Sequence, residues 1–159
     1  MILTGLRRGE VASLTVGALG LDQASPYVCI EGKHAKSGRA AMLPLRDDLA
    51  DDLRKHVDRL ADGGQSIQDA PLFNAGRNFL RTFNLDLASA GIAKRDAQGR
   101  TVDVHCLRHT YATLLARNGV SPSVAQKLMR HSDIRLTMNT YTHLDLADTA
   151  GAAVALPAI

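Results

Sequence analysis

Residues 103–142 read DVHCLRHTYATLLARNGVSPSVAQKLMRHSDIRLTMNTYT, and the rest of the chain is organised around them. Their polar residues fall on or beside three short helices with recognisable starts. Asp103 caps the first, Ser121 followed by Pro122 opens the second in cap-then-N1 order, and the third begins at Ser132 or Asp133. At 100° per residue, His105, Arg108, His109 and Ala112 share one arc of the first helix, while Leu107, Tyr111, Leu114 and Leu115 share its neighbour. The expectation is a core-facing Leu/Tyr stripe flanked by the polar pair. A guanidinium held against a packed edge grips an anionic oxygen with charge-assisted, bidentate bonds. Alone, His-x-x-Arg is also what a solvated polar face looks like. The company of His131, one short helix later, and of Tyr141, ten residues beyond that, favours the anion site.

Composition sets the bounds. The 159 residues, 45% of them hydrophobic, suffice for one core, so one domain is expected. No twenty-residue apolar run and no basic-then-apolar leader occurs, which points to a cytoplasmic protein without membrane insertion. Cys29 and Cys106 fit no zinc spacing and read as reduced, buried thiols. With no Trp and few aromatics among the basic residues, a single-strand stacking platform is disfavoured. The net charge of +3 hides a division: six basic against three acidic residues in 1–46, three against seven in 47–75, and ten against four in 76–143. Two basic segments separated by an acidic one suit a molecule with one face toward phosphates and another toward water.

Along the chain, MILTGLRRGEVASLTVGAL has a helical apolar pattern through Val11 and Leu14. Two β-forming runs, Tyr27–Ile30 and Ala40–Leu43, flank EGKHAKSGR and its Ser37-Gly38 turn signal. They predict a hairpin, with Leu19–Asp22 as a third strand. The stretch 46–60 is an amphipathic helix with an acidic first turn, packing through Leu49, Leu53, Val57 and Leu60. Another helix over 77–90 turns Phe79, Leu80, Phe83 and Leu87 inward, and GIAKRDAQGRTVD is a basic surface loop.

The paired blocks HCLRHTYAT (105–113) and MRHSDIRLTMNTYTH (129–143) resemble the tyrosine recombinases, or phage integrases, and the similarity runs over nearly the whole chain. The resemblance implies an α+β catalytic domain, mainly helical, with a small antiparallel three-stranded sheet near the N-terminus. It implies a metal-independent, cofactor-free enzyme that cuts and rejoins double-stranded DNA through a 3′-phosphotyrosyl intermediate. On the block TGLRRGE (4–10), the first catalytic arginine maps onto Arg7 and a supporting acid onto Glu10, with Arg8 toward solvent or the DNA backbone. Aligned on Pro44-Leu45, the hairpin lysine that protonates the leaving oxygen is Lys36, with Lys33 the runner-up. His105, Arg108 and His131 complete the phosphate site, and Tyr141 is the nucleophile. Arg8, Lys33, Arg39, Arg130 and Arg135 are the candidate DNA contacts. The interval from His131 to Tyr141 is one residue longer than in many members, although the longer form also occurs among integrases. The family's preceding helices and separate DNA-clamp domain have no counterpart in 1–159, which reads as the catalytic domain of a fragment or shortened protein. Homo-oligomers on DNA, dimers or tetramers joined through the C-terminal segment, are likewise implied, as is association with the nucleoid.

Rival readings are weaker. His105 and His109 have a zinc-binding i, i+4 spacing, but HCLRH lacks the zinc-protease glutamate and sets Arg108 beside the site. LLARNGVSPSVAQKLM resembles a helix-turn-helix, yet offers only Ser123, Gln126 and Lys127 to base edges and leaves Tyr141 without a role. Tyr111, the other nearby tyrosine, lies on the apolar arc and reads as core. A type IB topoisomerase shares the chemistry, but the two blocks look closer to integrases. An inactive remnant that only binds DNA or assembles is the remaining alternative.

Overall fold

The computed structural model describes residues 1–35, 38–61, 66–74 and 78–142. Helix α1 spans Arg8–Ala12 and is followed by strands β1 (Leu19–Gly20), β2 (Tyr27–Ile30) and β3 (Ala41–Pro44). Helices α2 (Asp47–Leu60), α3 (Phe79–Ser89), α4 (His105–Arg117), α5 (Pro122–Met129) and α6 (Arg135–Tyr141) complete the chain order. The strands form an antiparallel sheet in the order β1-β2-β3, with Val28 opposite Leu43 and Ile30 opposite Ala41. The mainly helical α+β architecture with its small sheet is therefore the one expected.

Alternation along β2 buries Val28 and Ile30, and α2 lays Ala50 and Leu53 against the same core with Leu6, Leu14, Leu43 and Leu72. Leu60, expected inward, is 40% exposed because it lies at the fraying end of α2. The opening helix is shorter than its apolar pattern suggests. It stops at Ser13, whose hydroxyl donates to the Glu10 carbonyl at 2.9 Å. The chain beyond leaves the α-helix, with Leu14 accepting from the Leu72 amide, Thr15 bridging to Pro71 and the Val16 amide donating to Ala70 at the start of a 3₁₀ turn over Val16–Ala18; Leu14 and Val16 are both buried. In α3 only Leu87 is buried, and Leu80 is 48% exposed rather than inward.

Each start predicted for the three site helices is present in modified form. Asp103 accepts from the amides of His105 and Cys106, at 2.8 and 3.2 Å. Asp133, not Ser132, does the same for the Arg135 amide at 2.9 Å. Ser121 precedes Pro122 as foreseen, but its hydroxyl pairs with that of Ser123.

The main departure concerns which face of α4 is inside. The buried stripe is Arg108, Ala112 and Ala116, spaced i, i+4, i+8, and it packs on α5 and α6. The alanines let the helices approach closely, and Arg108 fills the space this opens. Leu114 is 43% exposed. Tyr111, Leu114 and Leu115 instead line a groove with Ile2, Leu3 and Leu45. Tyr111 is half-buried there, and burial raises its pKa.

Candidate active site

Glu10 is 1% exposed, a position a carboxylate tolerates only when paired and hydrogen-bonded. It reaches back over the first turn of α1 to accept the Arg7 backbone amide at 2.7 Å, the second half of a capping box. Its other oxygen, Oε1, takes Arg7 Nη1 at 3.1 Å, while Oε2, which accepts the Arg7 amide, also accepts Arg130 Nη2 at 2.5 Å from far along the chain. Arg108 is 2% exposed; its Nη1 donates to the Gly5 carbonyl and its Nη2 to the Met129 carbonyl. Two backbone groups far apart in sequence thus fix the plane of one guanidinium.

Three guanidiniums surround one carboxylate, leaving an excess of positive charge that a phosphate would offset. Burial, and then the charges of Arg7 and Arg130, bring the Arg108 pKa down to about 10, so it stays protonated at neutral pH. His131 follows α5, its Nδ1 3.0 Å from the hydroxyl of Thr137, itself 2% exposed. Burial, then Arg108 and Arg7, push its pKa down to about 4. His131 is therefore neutral at pH 7; in the tautomer whose Nδ1 accepts from the Thr137 hydroxyl, Nε2–H is the donor left for a phosphate oxygen.

His105 sits exposed on the first turn of α4, its ring edge-on to His109 with centroids 5.0 Å apart. Burial, then His109 and Arg108, lower its pKa. Tyr141 ends α6 with its hydroxyl donating to the Val120 carbonyl in the α4–α5 turn, and burial raises its pKa. Among the described residues no hydrogen bond joins it to the guanidiniums or imidazoles. The Arg7, Glu10 and Arg130 side chains are thus joined and Arg108 is fixed, while Tyr141 is held on the Val120 carbonyl.

Of the expected DNA contacts, Arg8, Lys33, Arg39 and Arg135 are exposed; Lys33 pairs with Glu31 at 2.6 Å and Arg135 with Asp133 at 3.0 Å. Arg130, placed with them from the sequence, has its side chain 9% exposed and turned inward onto Glu10. Lys36 and the C-terminal segment 144–159 lie outside the described residues. Among the described residues no group of three or more His, Cys, Asp or Glu could hold a metal ion.

Sequence reasoning passed over Gly5, the Met129 carbonyl and Thr137. Gly5 stands in the TGLRR block with φ +63°, and a Cβ there would lie 2.5 Å from the Tyr111 ring and 3.2 Å from Met129 Sδ. Gly5→Ala is expected to cost at least about 2 kcal/mol in a denaturant melt, from left-handed strain plus overpacking. It should also slow any reaction depending on Arg108, because the Gly5 carbonyl must shift. An unchanged melt would mean that the ring yields freely.

The neutral state of His131 predicts a pH signature. Unfolded, its pKa lies near 6.5; folded, it is about 4. Between these values the unfolded chain binds more protons, so stability rises with pH across the window and is lost as pH falls through it. His131→Gln should flatten the melting temperature against pH between 6.5 and 4, relative to the parent. Parallel curves would show that the ring is not held neutral.

The Phage integrase family profile matches residues 1–147. The tyrosine recombinase XerC of Erythrobacter litoralis is 32% identical over 146 residues, covering 91% of this chain and 44% of that protein. XerD of Oceanobacillus iheyensis is 31% identical, covering 91% and 48%. The chain thus spans about half the length of the curated relatives it matches. In three dimensions it is similar to the XerA recombinase crystal structure, with a TM-score of 0.73 at 22% identity, over 99% of this chain and 55% of that one. It is similar also to the Tn1549 transposon integrase in complex with a circular intermediate DNA, with a TM-score of 0.69 at 20% identity, over 98% and 56%. With the profile spanning 147 of 159 residues and the fold agreeing, the chain belongs to the phage integrase family.

Proposed function

We propose that residues 1–159 act as the catalytic domain of a site-specific tyrosine recombinase, cleaving and rejoining double-stranded DNA through a 3′-phosphotyrosyl intermediate. The observation that carries this is the convergence of Arg7, Arg108 and His131, from three separate elements, on one part-buried, positively charged cluster in which Glu10 pairs Arg7 with Arg130. The tyrosine recombinases among the relatives, and the DNA in the Tn1549 complex, support the reading.

The phosphate binds with non-bridging oxygens toward Arg7, Arg108 and the Nε2–H of His131. These supply the charge stabilisation that divalent metals provide in other phosphoryl transfers. Tyr141 leaves the Val120 carbonyl, and its oxygen attacks phosphorus as its proton passes to His105. The bond to the 5′ oxygen breaks, and Lys36 protonates that leaving group. A 5′-hydroxyl from a second duplex then attacks the phosphotyrosine and releases Tyr141, so each bond broken is replaced by one formed. No metal or cofactor enters these steps. The DNA backbone runs over Arg8, Lys33, Arg39 and Arg135, all exposed. Subunits pair on each duplex as dimers or tetramers, through segment 144–159. No helix among the described residues is long and apolar enough to cross a membrane, and the proposed workplace is the cytoplasmic nucleoid.

The test is covalent trapping. Protein is incubated with a labelled pool of nicked duplexes, denatured, and inspected for a protein band carrying DNA. A band is expected from the chain alone or fused to a related DNA-clamp domain. Its absence in both formats would leave a DNA-binding or assembly remnant.

A further inference from the structure

Arg130 is the only non-glycine residue with positive φ among the described residues, at φ 52° and ψ 46°, where it closes α5. Glycine fills such a position without cost, whereas a residue with a Cβ is disfavoured. Its charged side chain is also buried, close enough to Arg108 and Arg7 to help depress the Arg108 pKa. Its Nε is the one buried side-chain polar atom without a hydrogen-bond partner among the described residues. Three unfavourable features coincide on one residue, and a buried ion pair seldom offsets them through stability alone.

What Arg130 touches suggests the compensation. Its Nη2 holds the Glu10 oxygen that also accepts the Arg7 amide, and the other Glu10 oxygen holds the Arg7 guanidinium. Its left-handed backbone separates the Met129 carbonyl, which receives Arg108, from the His131 ring, which meets Thr137. All three phosphate-binding side chains are therefore referenced to this residue.

We infer that Arg130 is a positioning residue of the anion site: through Glu10 it sets Arg7, and through its backbone turn it sets Arg108 and His131, rather than contacting DNA itself. The inference rests on the recombinase reading for its cleavage assay, but not for its binding assay.

The experiment compares the parent with Arg130→Gly, Arg130→Lys, Glu10→Gln and the Glu10→Gln/Arg130→Gly double variant. Glycine suits the backbone and Arg7 still pairs Glu10, and a melt of each variant shows how much of the fold's stability remains before the readouts are compared. The first readout is the rise in melting temperature with inorganic phosphate, relative to chloride at equal ionic strength. Arg130→Gly should lose most of that rise, Arg130→Lys should recover much of it, and the double variant should be no worse than the glycine variant. The second readout is single-turnover adduct formation at saturating nicked duplex. Arg130→Gly should slow it by roughly 10- to 100-fold, as misplacement of reacting groups does, while the salt slope of duplex binding stays unchanged. Overturning results are a parental phosphate response in Arg130→Gly, or weaker duplex binding with a salt slope smaller by about one and an unchanged adduct rate, the pattern of a DNA-backbone contact. A parent that forms no adduct counts against the recombinase reading, and the phosphate response then decides Arg130 by itself.

Discussion

Tyr141→Phe is expected to abolish the denaturation-resistant protein–DNA adduct while leaving duplex binding within about twofold of the parent, since one neutral hydroxyl contributes little to phosphate-dominated affinity. Only the hydroxyl is removed, and the hydrogen bond lost is the one to the Val120 carbonyl. That bond is worth about 1 kcal/mol net, so the fold survives. Loss of the adduct is then chemical: phenylalanine has no oxygen to bond to phosphorus. An adduct from Tyr141→Phe would move the nucleophile elsewhere, and Tyr111→Phe would be examined next. The Tyr111 ring, however, is packed against Gly5 beside Arg108, so that variant should affect positioning before covalent chemistry.

The Val120 bond has a second consequence. A hydroxyl donating to a carbonyl, with its pKa raised by burial, is a poor nucleophile. In the proposed mechanism Tyr141 leaves that carbonyl before it attacks. The Arg7–Glu10–Arg130 contacts and the two carbonyls on Arg108 do not involve α6, whereas the His131 ring rests on Thr137 of that helix, four residues before Tyr141. The two arginines can therefore hold the scissile phosphate before the nucleophile arrives in that mechanism, while His131 and Tyr141 are linked through α6.

How much of this was readable in the sequence depends on the range of the interaction responsible. The hairpin and α2 follow from periods of two and 3.6 residues, and both lie within a residue of their expected bounds. Asp103 and Asp133 cap by bonds to amides two or three residues on, and such local pairs are legible. The placement of Arg108 was not. A helical wheel ranks faces by hydrophobicity and puts leucines inside, but the partners that make burial of Arg108 tolerable are carbonyls 103 and 21 residues away. The inward turn of Arg130 was hidden for the same reason, since its carboxylate partner lies 120 residues earlier. The early end of α1 likewise goes with a distant pairing, of Leu14 and Val16 with Leu72 and Ala70. Residue types at the candidate site could be named from the two blocks; which of them face one another required the folded chain.

Arg108→Ala is expected to reduce single-turnover cleavage by about 1000-fold, the range seen when a preorganised donor is removed from a developing oxyanion. It should also destabilise the fold, because the Gly5 and Met129 carbonyls lose their buried donors at roughly 1–3 kcal/mol each. Because the two effects would be confounded, Arg108→Lys is the informative partner. Lysine keeps the charge and the aliphatic stem, so much of the electrostatic balance with Glu10 persists. One ammonium cannot span two carbonyls and also present a planar pair of N–H groups to a phosphate. The expectation is a melt between those of the parent and Arg108→Ala, lowered by about 1–3 kcal/mol for the one carbonyl left without a donor, with cleavage still down by about 100-fold. Parental cleavage in Arg108→Lys would show that charge alone suffices and that the two carbonyls merely tolerate the guanidinium. A rate loss in Arg108→Ala that tracks the unfolded fraction would assign Arg108 to structure. A folded but slow Arg108→Lys is the outcome that requires the guanidinium geometry itself, held by Gly5 on one side and Met129 on the other.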